Sequence, residues 1–207
     1  NRSIVDELIK SDADVNFKDR WGNTSLAEAL REGQYKLASE LSSKGGKLEY
    51  DEIRSSGELC DYARRGDVQR IQMLLECGCD GEAQDYDART PLHLAASEGN
   101  VAVVAELIKH LKNISMKDRW GGTPLADAVR EGHHSVTRLL VSSKAELHMA
   151  QSEAAGMLCD FTQKGDIDKT TQLLDAGCPV NAADYDGRTA LHLACSEGNM
   201  QIVSKLV

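Results

Sequence analysis

The chain has 207 residues, a formal net charge of −9 and an aromatic fraction of only 4%. The negative charge argues against a nucleic-acid-binding protein, because a phosphate-binding face needs clustered lysine and arginine. No apolar run reaches the length of a bilayer span and no N-terminal segment has the pattern of a signal peptide, so we expect no membrane insertion and a cytoplasmic location. Large aromatic side chains usually fill a deep shared core, and their scarcity favours a stack of small helices over a globule.

The sequence repeats itself after 99 residues. Three segments recur at this distance: Asp19-Arg-Trp-Gly at Asp118, Leu59-Cys-Asp at Leu158, and Asp85-Tyr-Asp at Asp184. Since 99 is three times 33, the chain is predicted to consist of groups of three 33-residue units. The constant offset leaves no room for a second domain.

Taken in order, the predicted units form one domain that spans 1–207. The units lie at about 1–24 (partial), 25–57, 58–90, 91–123, 124–156, 157–189 and 190–207 (partial). Each complete unit is predicted to be a helix–turn–helix hairpin with an apolar stripe at helical spacing. Because the chain begins at Asn1 rather than at Met, we also expect a fragment or module of a larger protein.

The unit at 91–123 has the clearest helix signals. Thr90 can cap the first helix with its hydroxyl, and Pro91 suits the first helical position because its missing N–H costs nothing there. Gly99 can adopt the left-handed backbone that ends this helix. Asn100 is then predicted to cap the second helix.

One junction in each group of three units departs from the pattern. Lys47–Leu59 and Glu146–Leu158 do not place Asp, Gly and Thr at the turn positions that the other units share. Both segments are expected to lack a projecting hairpin, and either extend a helix or form a loop. The row of turns would then have a notch, and whether that notch binds a partner stays open.

The six cysteines show neither a disulfide framework nor a zinc pattern. Cys77 and Cys79 are separated by one residue, which is too close for the usual zinc pair, and no His or Cys pair stands at a complementary spacing. We therefore expect six free thiols in a reducing compartment.

The segment Thr90-Pro-Leu-His-Leu-Ala resembles the ankyrin repeat. The resemblance implies an all-α ankyrin-repeat solenoid of stacked helix–turn–helix units with projecting β-hairpin turns. A finer likeness lies in Tyr86-Asp-Ala-Arg-Thr-Pro-Leu-His, followed by Lys117-Asp-Arg-Trp-Gly-Gly-Thr-Pro-Leu and Glu131-Gly-His-His. This combination is similar to the ankyrin segments appended to animal glutaminases, plant Raf-like kinases and some plant-type potassium channels. In those families the segment is a regulatory or interaction appendage.

No residue pattern predicts catalysis, a cofactor or a metal. His93 and His192 occupy the histidine of the ankyrin motif, which in that family bridges backbone groups of adjacent units. His133-His134 could be a metal pair, but adjacent residues at a helix start point in different directions and no third ligand is evident. Gly-rich phosphate loops, paired catalytic carboxylates and Ser-His-Asp sets do not stand out, so we expect a protein that is not an enzyme.

Four of the nine aromatic residues fall at the predicted turns between units, namely Trp21, Tyr86, Trp120 and Tyr185. They either cover their own turns and stack on a neighbouring arginine, or they are contact anchors, since Trp and Tyr are enriched among binding hot spots. The 33-residue register places Tyr86 next to Arg119 and Asp87 next to Trp120 on the following turn. A cation–π contact or an Asp87–Arg119 ion pair would then make these turns rigid. The candidate partner-binding residues are Trp21, Tyr86, Arg119, Trp120 and Tyr185.

These observations predict a non-catalytic protein–protein interaction scaffold, whose partner is another protein or another domain of the parent chain. The alternative is a regulatory or assembly segment of an enzyme or ion channel. The sequence does not specify an oligomeric state.

Overall fold

The computed structural model describes residues 2–50 and 52–207, so that Asn1 and Asp51 lie outside the described residues. Within those ranges the chain forms thirteen short helices. The inner row consists of α2 (Ser25–Arg31), α4 (Glu52–Arg65), α6 (Pro91–Ser97), α8 (Pro124–Arg130), α10 (Gln151–Gln163) and α12 (Ala190–Ser196). The outer row consists of α1 (Arg2–Lys10), α3 (Tyr35–Ser43), α5 (Val68–Glu76), α7 (Val101–His110), α9 (His134–Ser142), α11 (Ile167–Asp175) and α13 (Met200–Leu206).

The two rows stack into a solenoid. Every inner helix from α2 to α12 packs on the outer helix that follows it, and outer helices from α3 to α13 pack on their successors. A single β-bridge, between Ala183 and Thr189, occurs in the described residues. The predicted all-α solenoid of helix–turn–helix units is therefore confirmed, whereas its division into units with the bounds given above stays a prediction. None of the described helices combines the length and apolar character that a membrane span requires.

The core lies between the two rows and repeats with the sequence. Its fully buried leucines recur every 33 residues, at Leu26, Leu59, Leu92, Leu125 and Leu158 on the inner helices and at Leu74, Leu107, Leu140 and Leu173 on the outer helices. Buried alanines such as Ala95 and Ala128 let successive inner helices approach closely. Each unit therefore completes its core only against its neighbours.

The predicted cap of α6 is confirmed, whereas the predicted cap of α7 is corrected. Thr90 caps α6 in a capping box in which His93 supplies the second side chain. Asn100 occupies the cap position of α7, but its side chain makes no capping hydrogen bond. Instead its Nδ2 donates to the carbonyl oxygens of Ala63 (2.8 Å) and Arg64 (3.0 Å) near the end of α4. The last carbonyls of a helix lack intrahelical partners, so this amide clamps α7 to the preceding unit.

His93 links its own unit to the next. Its Nδ1 accepts a hydrogen bond from the backbone N–H of Thr90 over 3.1 Å, which leaves Nε2–H to donate to the Gly122 carbonyl at 3.3 Å. The ring is fully buried, and burial lowers the pKa of His93, so the neutral tautomer is favoured. The bridging role implied by the ankyrin resemblance is present at this position.

At the two exceptional junctions the inner helix is extended. The helices α4 and α10 begin six residues earlier in the 33-residue repeat than α6 does, so residues 53–56 and 152–156 are helical. The helical alternative of the prediction is therefore correct, and the described residues of the two junctions form no hairpin. At these junctions a threonine connects the unit to the segment that follows. The hydroxyl of Thr24 donates to the Lys47 carbonyl, and the hydroxyl of Thr123 donates to the Glu146 carbonyl, each over 2.9 Å. We call 52–56 and 151–155 the first and second notch.

Candidate interaction surface

Four turns project between the units and share one hydrogen-bonding pattern. Each begins with an aspartate whose Oδ1 accepts from the backbone N–H groups two and four residues later, over 2.8–3.0 Å. The turns span 19–23, 85–89, 118–122 and 184–188. An aspartate that hydrogen-bonds its own turn fixes the backbone locally, so these projections do not need a β-sheet to hold their shape. We call the row of four turns the hairpin edge.

The four predicted aromatic anchors lie on the hairpin edge with their rings in solvent. Trp21 and Trp120 are each 68% exposed, Tyr86 is 92% exposed, and Tyr185 is fully exposed. The Arg20 guanidinium lies 4.1 Å from the centroid of the Trp21 ring, so stacking on arginine occurs as one alternative foresaw. The stacked rings nevertheless remain accessible to a partner.

Arg119 joins two neighbouring turns of the edge. Its Nη1 lies 2.8 Å from Asp87 Oδ1, and its backbone N–H donates to the Asp87 carbonyl over 3.0 Å. The guanidinium also lies 5.7 Å from the ring centroid of Tyr86 and 5.4 Å from that of Trp120. The pairing with Asp87 raises the pKa of Arg119 above its ordinary value. The contacts that the register predicted are thus present, and they tie three of the five candidate residues into one cluster.

Ile53 is an exposed apolar side chain that the sequence analysis did not select. It is 84% exposed and lies on the first turn of α4, in the first notch. The repeat places it at the position that Tyr86 occupies 33 residues later. The matching residue of the second notch is Ser152, which is polar. An apolar residue at a turn position was the signal that could have identified it.

An ion-pair network around the buried Asp127 links the second notch to the turn 85–89. Asp127 on α8 has a side chain only 6% exposed and contacts Arg89 and Arg130, both over 2.8 Å. Arg130 Nε also lies 2.8 Å from Glu153 Oε1, in the extended part of α10. These contacts connect Arg89, at the end of the turn 85–89, to Glu153 in the second notch. The position of the notch relative to this turn is therefore fixed by charge as well as by packing.

The cysteines of the inner helices have structural contacts. Cys60 Sγ lies 4.0 Å from the Arg89 carbonyl, and Cys159 Sγ lies 3.6 Å from the Arg188 carbonyl. These carbonyls correspond in the repeat to the one that His93 contacts, so the thiols take the place of the bridging imidazole. Burial raises the pKa of Cys60 to about 12, which makes a reactive thiolate unfavourable.

We expect the unfolded protein, without reductant, to contain six thiols that react with a chromogenic disulfide reagent. All six cysteines are unpaired in the structure. In the native protein Cys195 should react first because it is exposed, whereas Cys178 is buried and burial raises its pKa to about 11. A count of four after unfolding would mean a disulfide that this structure does not contain.

The adjacent histidines turn away from each other. His133 Nε2 lies 2.9 Å from the Ser97 carbonyl, whereas His134 Nδ1 contacts the side chain of Gln172. In the part of the chain that the structure describes, no group of three His, Cys, Asp or Glu side chains is placed to hold a metal ion. The pair therefore links neighbouring units.

Two sequence models of ankyrin repeats match the chain. One, described as three copies, matches residues 59–151, and the other, described as many copies, matches residues 157–207. The chain belongs to the ankyrin repeat family. Ankyrin repeats form a non-catalytic interaction fold, so this chain is a protein–protein interaction scaffold.

Relatives carry similar ankyrin segments within larger proteins. The chain is 34% identical over 149 residues to an L-asparaginase of Dirofilaria immitis, a match that covers 72% of this chain and 25% of the relative. It is 40% identical over 142 residues to the potassium channel SKOR of Arabidopsis thaliana, covering 69% of this chain and 17% of the channel. It is 41% identical over 93 residues to the mitochondrial liver glutaminase of Rattus norvegicus, covering 44% of this chain and 15% of the relative.

The ankyrin chain thus spans a quarter or less of the length of these relatives. The resemblance to glutaminases and plant potassium channels is confirmed, and the asparaginase adds an enzyme class that the motifs did not indicate. The similarity extends to segments of enzymes and channels, and this chain has the character of a module.

Proposed function

We propose that the ankyrin chain binds a protein partner through the hairpin edge, with the cluster of Tyr86, Arg119 and Trp120 at its centre. The observation that supports this most directly is the exposure of aromatic rings on turns whose backbones are already fixed. Rigid aromatic and guanidinium groups lose little conformational freedom on binding, and such groups dominate hot spots. Trp21 and Tyr185 extend the same surface toward the two ends of the row.

The exposed face of the outer helix α7 is a weaker candidate because its charged side chains pair with one another. Glu106 on α7 contacts Lys109 over 2.7 Å and His110 over 3.3 Å, all on one helix. Exposed pairs of this kind contribute little energy to stability or to recognition. A partner that docked there would meet a solvated and self-paired surface.

We further propose that the chain is not itself an enzyme, and that its partner is either another protein or another domain of a parent protein. The second alternative, a regulatory or assembly segment of an enzyme or channel, is supported by relatives that are an asparaginase, a glutaminase and a potassium channel. Deleting the ankyrin segment from the full-length gene product separates the alternatives. Changed activity, gating or subunit assembly would support the regulatory role, whereas lost capture of a separate protein would support the scaffold role.

We expect Trp120→Ala to weaken binding of the partner by about 5- to 30-fold or more, which corresponds to a loss of about 1–2 kcal/mol or more. The ring is mostly exposed, so the midpoint of thermal unfolding should change little. Titration calorimetry with a partner captured on the intact chain measures the first quantity, and circular dichroism measures the second. Lys109→Ala on the outer row is the matched control and should leave affinity unchanged. If Trp120→Ala unfolds the protein and spares affinity, the tryptophan covers its turn and the site lies elsewhere.

A further inference from the structure

A basic groove lies between the loops that follow α7 and α9. It has a volume of about 710 Å³ and is lined by Lys112, Lys117, Lys144, Ser115, Glu146 and His148, among others. The three lysines and one glutamate give this groove an excess of positive charge in a protein whose net charge is −9. Within the described residues none of the three ammonium groups is in ion-pair contact with a carboxylate, and Glu146 contacts His148 instead, over 3.0 Å.

The first group of three units has residues at the matching repeat positions, and their charges differ. Lys18, which corresponds to Lys117, forms an ion pair with Glu49 over 2.5 Å. The residue that corresponds to Glu49 is His148, so the carboxylate that neutralises this lysine is replaced. Ala13 and Gly45 stand where the second group has Lys112 and Lys144. The unpaired lysines are therefore specific to the second group of units.

Lys144 has a backbone conformation that lysine rarely adopts. Its φ is +63°, in the left-handed region that favours glycine. At the same repeat position the chain has Gly45, Gly78 and Gly177, with φ values of +86°, +89° and +99°, and Asp12, with a φ of +63°. Aspartate enters this region more readily than lysine does, because its short side chain is among those enriched there. A side chain that stands in a strained conformation where glycine would be relaxed points to a function for that side chain.

We propose that this groove binds a small ligand that carries two or more phosphate groups on a polar frame, such as an inositol polyphosphate, free or as a lipid headgroup. Lysine ammonium groups are strongly hydrated point charges that bind phosphates without fixed geometry. Ser115 Oγ accepts from the Glu146 N–H over 2.8 Å, so its hydroxyl hydrogen is left to donate to a phosphate oxygen. The volume lies within the range of small-molecule sites.

The groove favours such a ligand over a nucleotide. Among its described lining residues the only ring is the imidazole of His148, and that ring already contacts Glu146. A purine would therefore lack an aromatic face on which to stack. The groove is distinct from the hairpin edge, although Lys117 lies two residues before Arg119, so Lys112 and Lys144 are the residues to change in a test.

The experiment titrates the 207-residue chain with inositol hexakisphosphate by calorimetry. We expect saturable binding with one site per chain, weakened at least ten-fold in the double variant Lys112→Gln, Lys144→Gly. The matched control is Lys18→Gln, Lys47→Gln, which removes two positive charges at the corresponding positions of the first group and should change affinity less than two-fold. Both variants should keep the thermal midpoint of the parent chain, since Lys144→Gly restores the residue that the backbone favours.

Three results would overturn the proposal: no saturable binding, equal weakening by both double variants, or tighter binding of ATP or of a phosphoserine peptide than of the hexakisphosphate. The source of the ligand is decided by vesicles that contain phosphatidylinositol bisphosphate, compared with phosphatidylcholine alone. Retention on the phosphoinositide vesicles that the Lys112 and Lys144 changes abolish assigns a lipid headgroup. Binding of the free hexakisphosphate without retention assigns a soluble ligand.

Discussion

We expect Leu107→Ala to lower the free energy of unfolding by roughly 2–5 kcal/mol. Leu107 is fully buried on α7, where it faces the inner row, so truncation removes apolar contacts and leaves a cavity that neighbouring helices fill only in part. In a repeat protein each unit is stabilised by its neighbours, so the loss should also weaken the interfaces on both sides. Urea denaturation followed by circular dichroism measures the change.

Val101→Ala on the same helix serves as the control for Leu107→Ala. Val101 is 40% exposed, so its truncation should have a much smaller effect. Alanine favours a helix more than either residue, so a loss of stability reports on packing. Equal effects of the two changes would contradict the placement of Leu107 in the core and of Val101 at its exposed edge.

We expect Asp127→Ala to cost roughly 2–3 kcal/mol, because it leaves the partly buried guanidinium of Arg89 without its carboxylate and breaks the contact to Arg130. The figure is below that of a fully buried pair because both arginines keep some solvent. Asp160→Ala is a control at the same repeat position. Its pair with Lys164 is exposed, so the change should be below about 1 kcal/mol. A cost of Asp127→Ala no larger than that of the control would mean that the network does not stabilise the fold.

Regular spacing explains why much of the architecture could be predicted. A 33-residue register fixes which residues face one another in adjacent units, and it correctly placed Arg119 beside Tyr86 and Asp87. Helix signals that act within one turn, such as Thr90 followed by Pro91, were equally reliable because they depend on local geometry alone.

The remaining features depended on contacts between units that no local signal contains. Asn100 could cap its own helix or reach the preceding one, and only the position of the Ala63 carbonyl decides between them. A helix rather than a loop forms at the notches, where Thr24 and Thr123 make the contacts between units that a hairpin makes elsewhere. The sequence of the notch segments does not show these contacts. Ile53 was missed because its segment lacks the Asp, Gly and Thr of the turn motif, although the sequence does show an apolar residue at that turn position.

The recurrence of the notch after 99 residues has a consequence for valency. Trp21 and Tyr86 lie on the turns on either side of the first notch, and Trp120 and Tyr185 lie in the same way around the second. Three stacking steps of about 8–10 Å separate equivalent residues, so the two arrangements lie roughly 30 Å apart. A partner with two copies of one recognition motif, joined by a linker of that reach, would bind the second copy intramolecularly, at an effective concentration in the millimolar range. Two contacts of modest strength would then hold such a partner far longer than either contact alone.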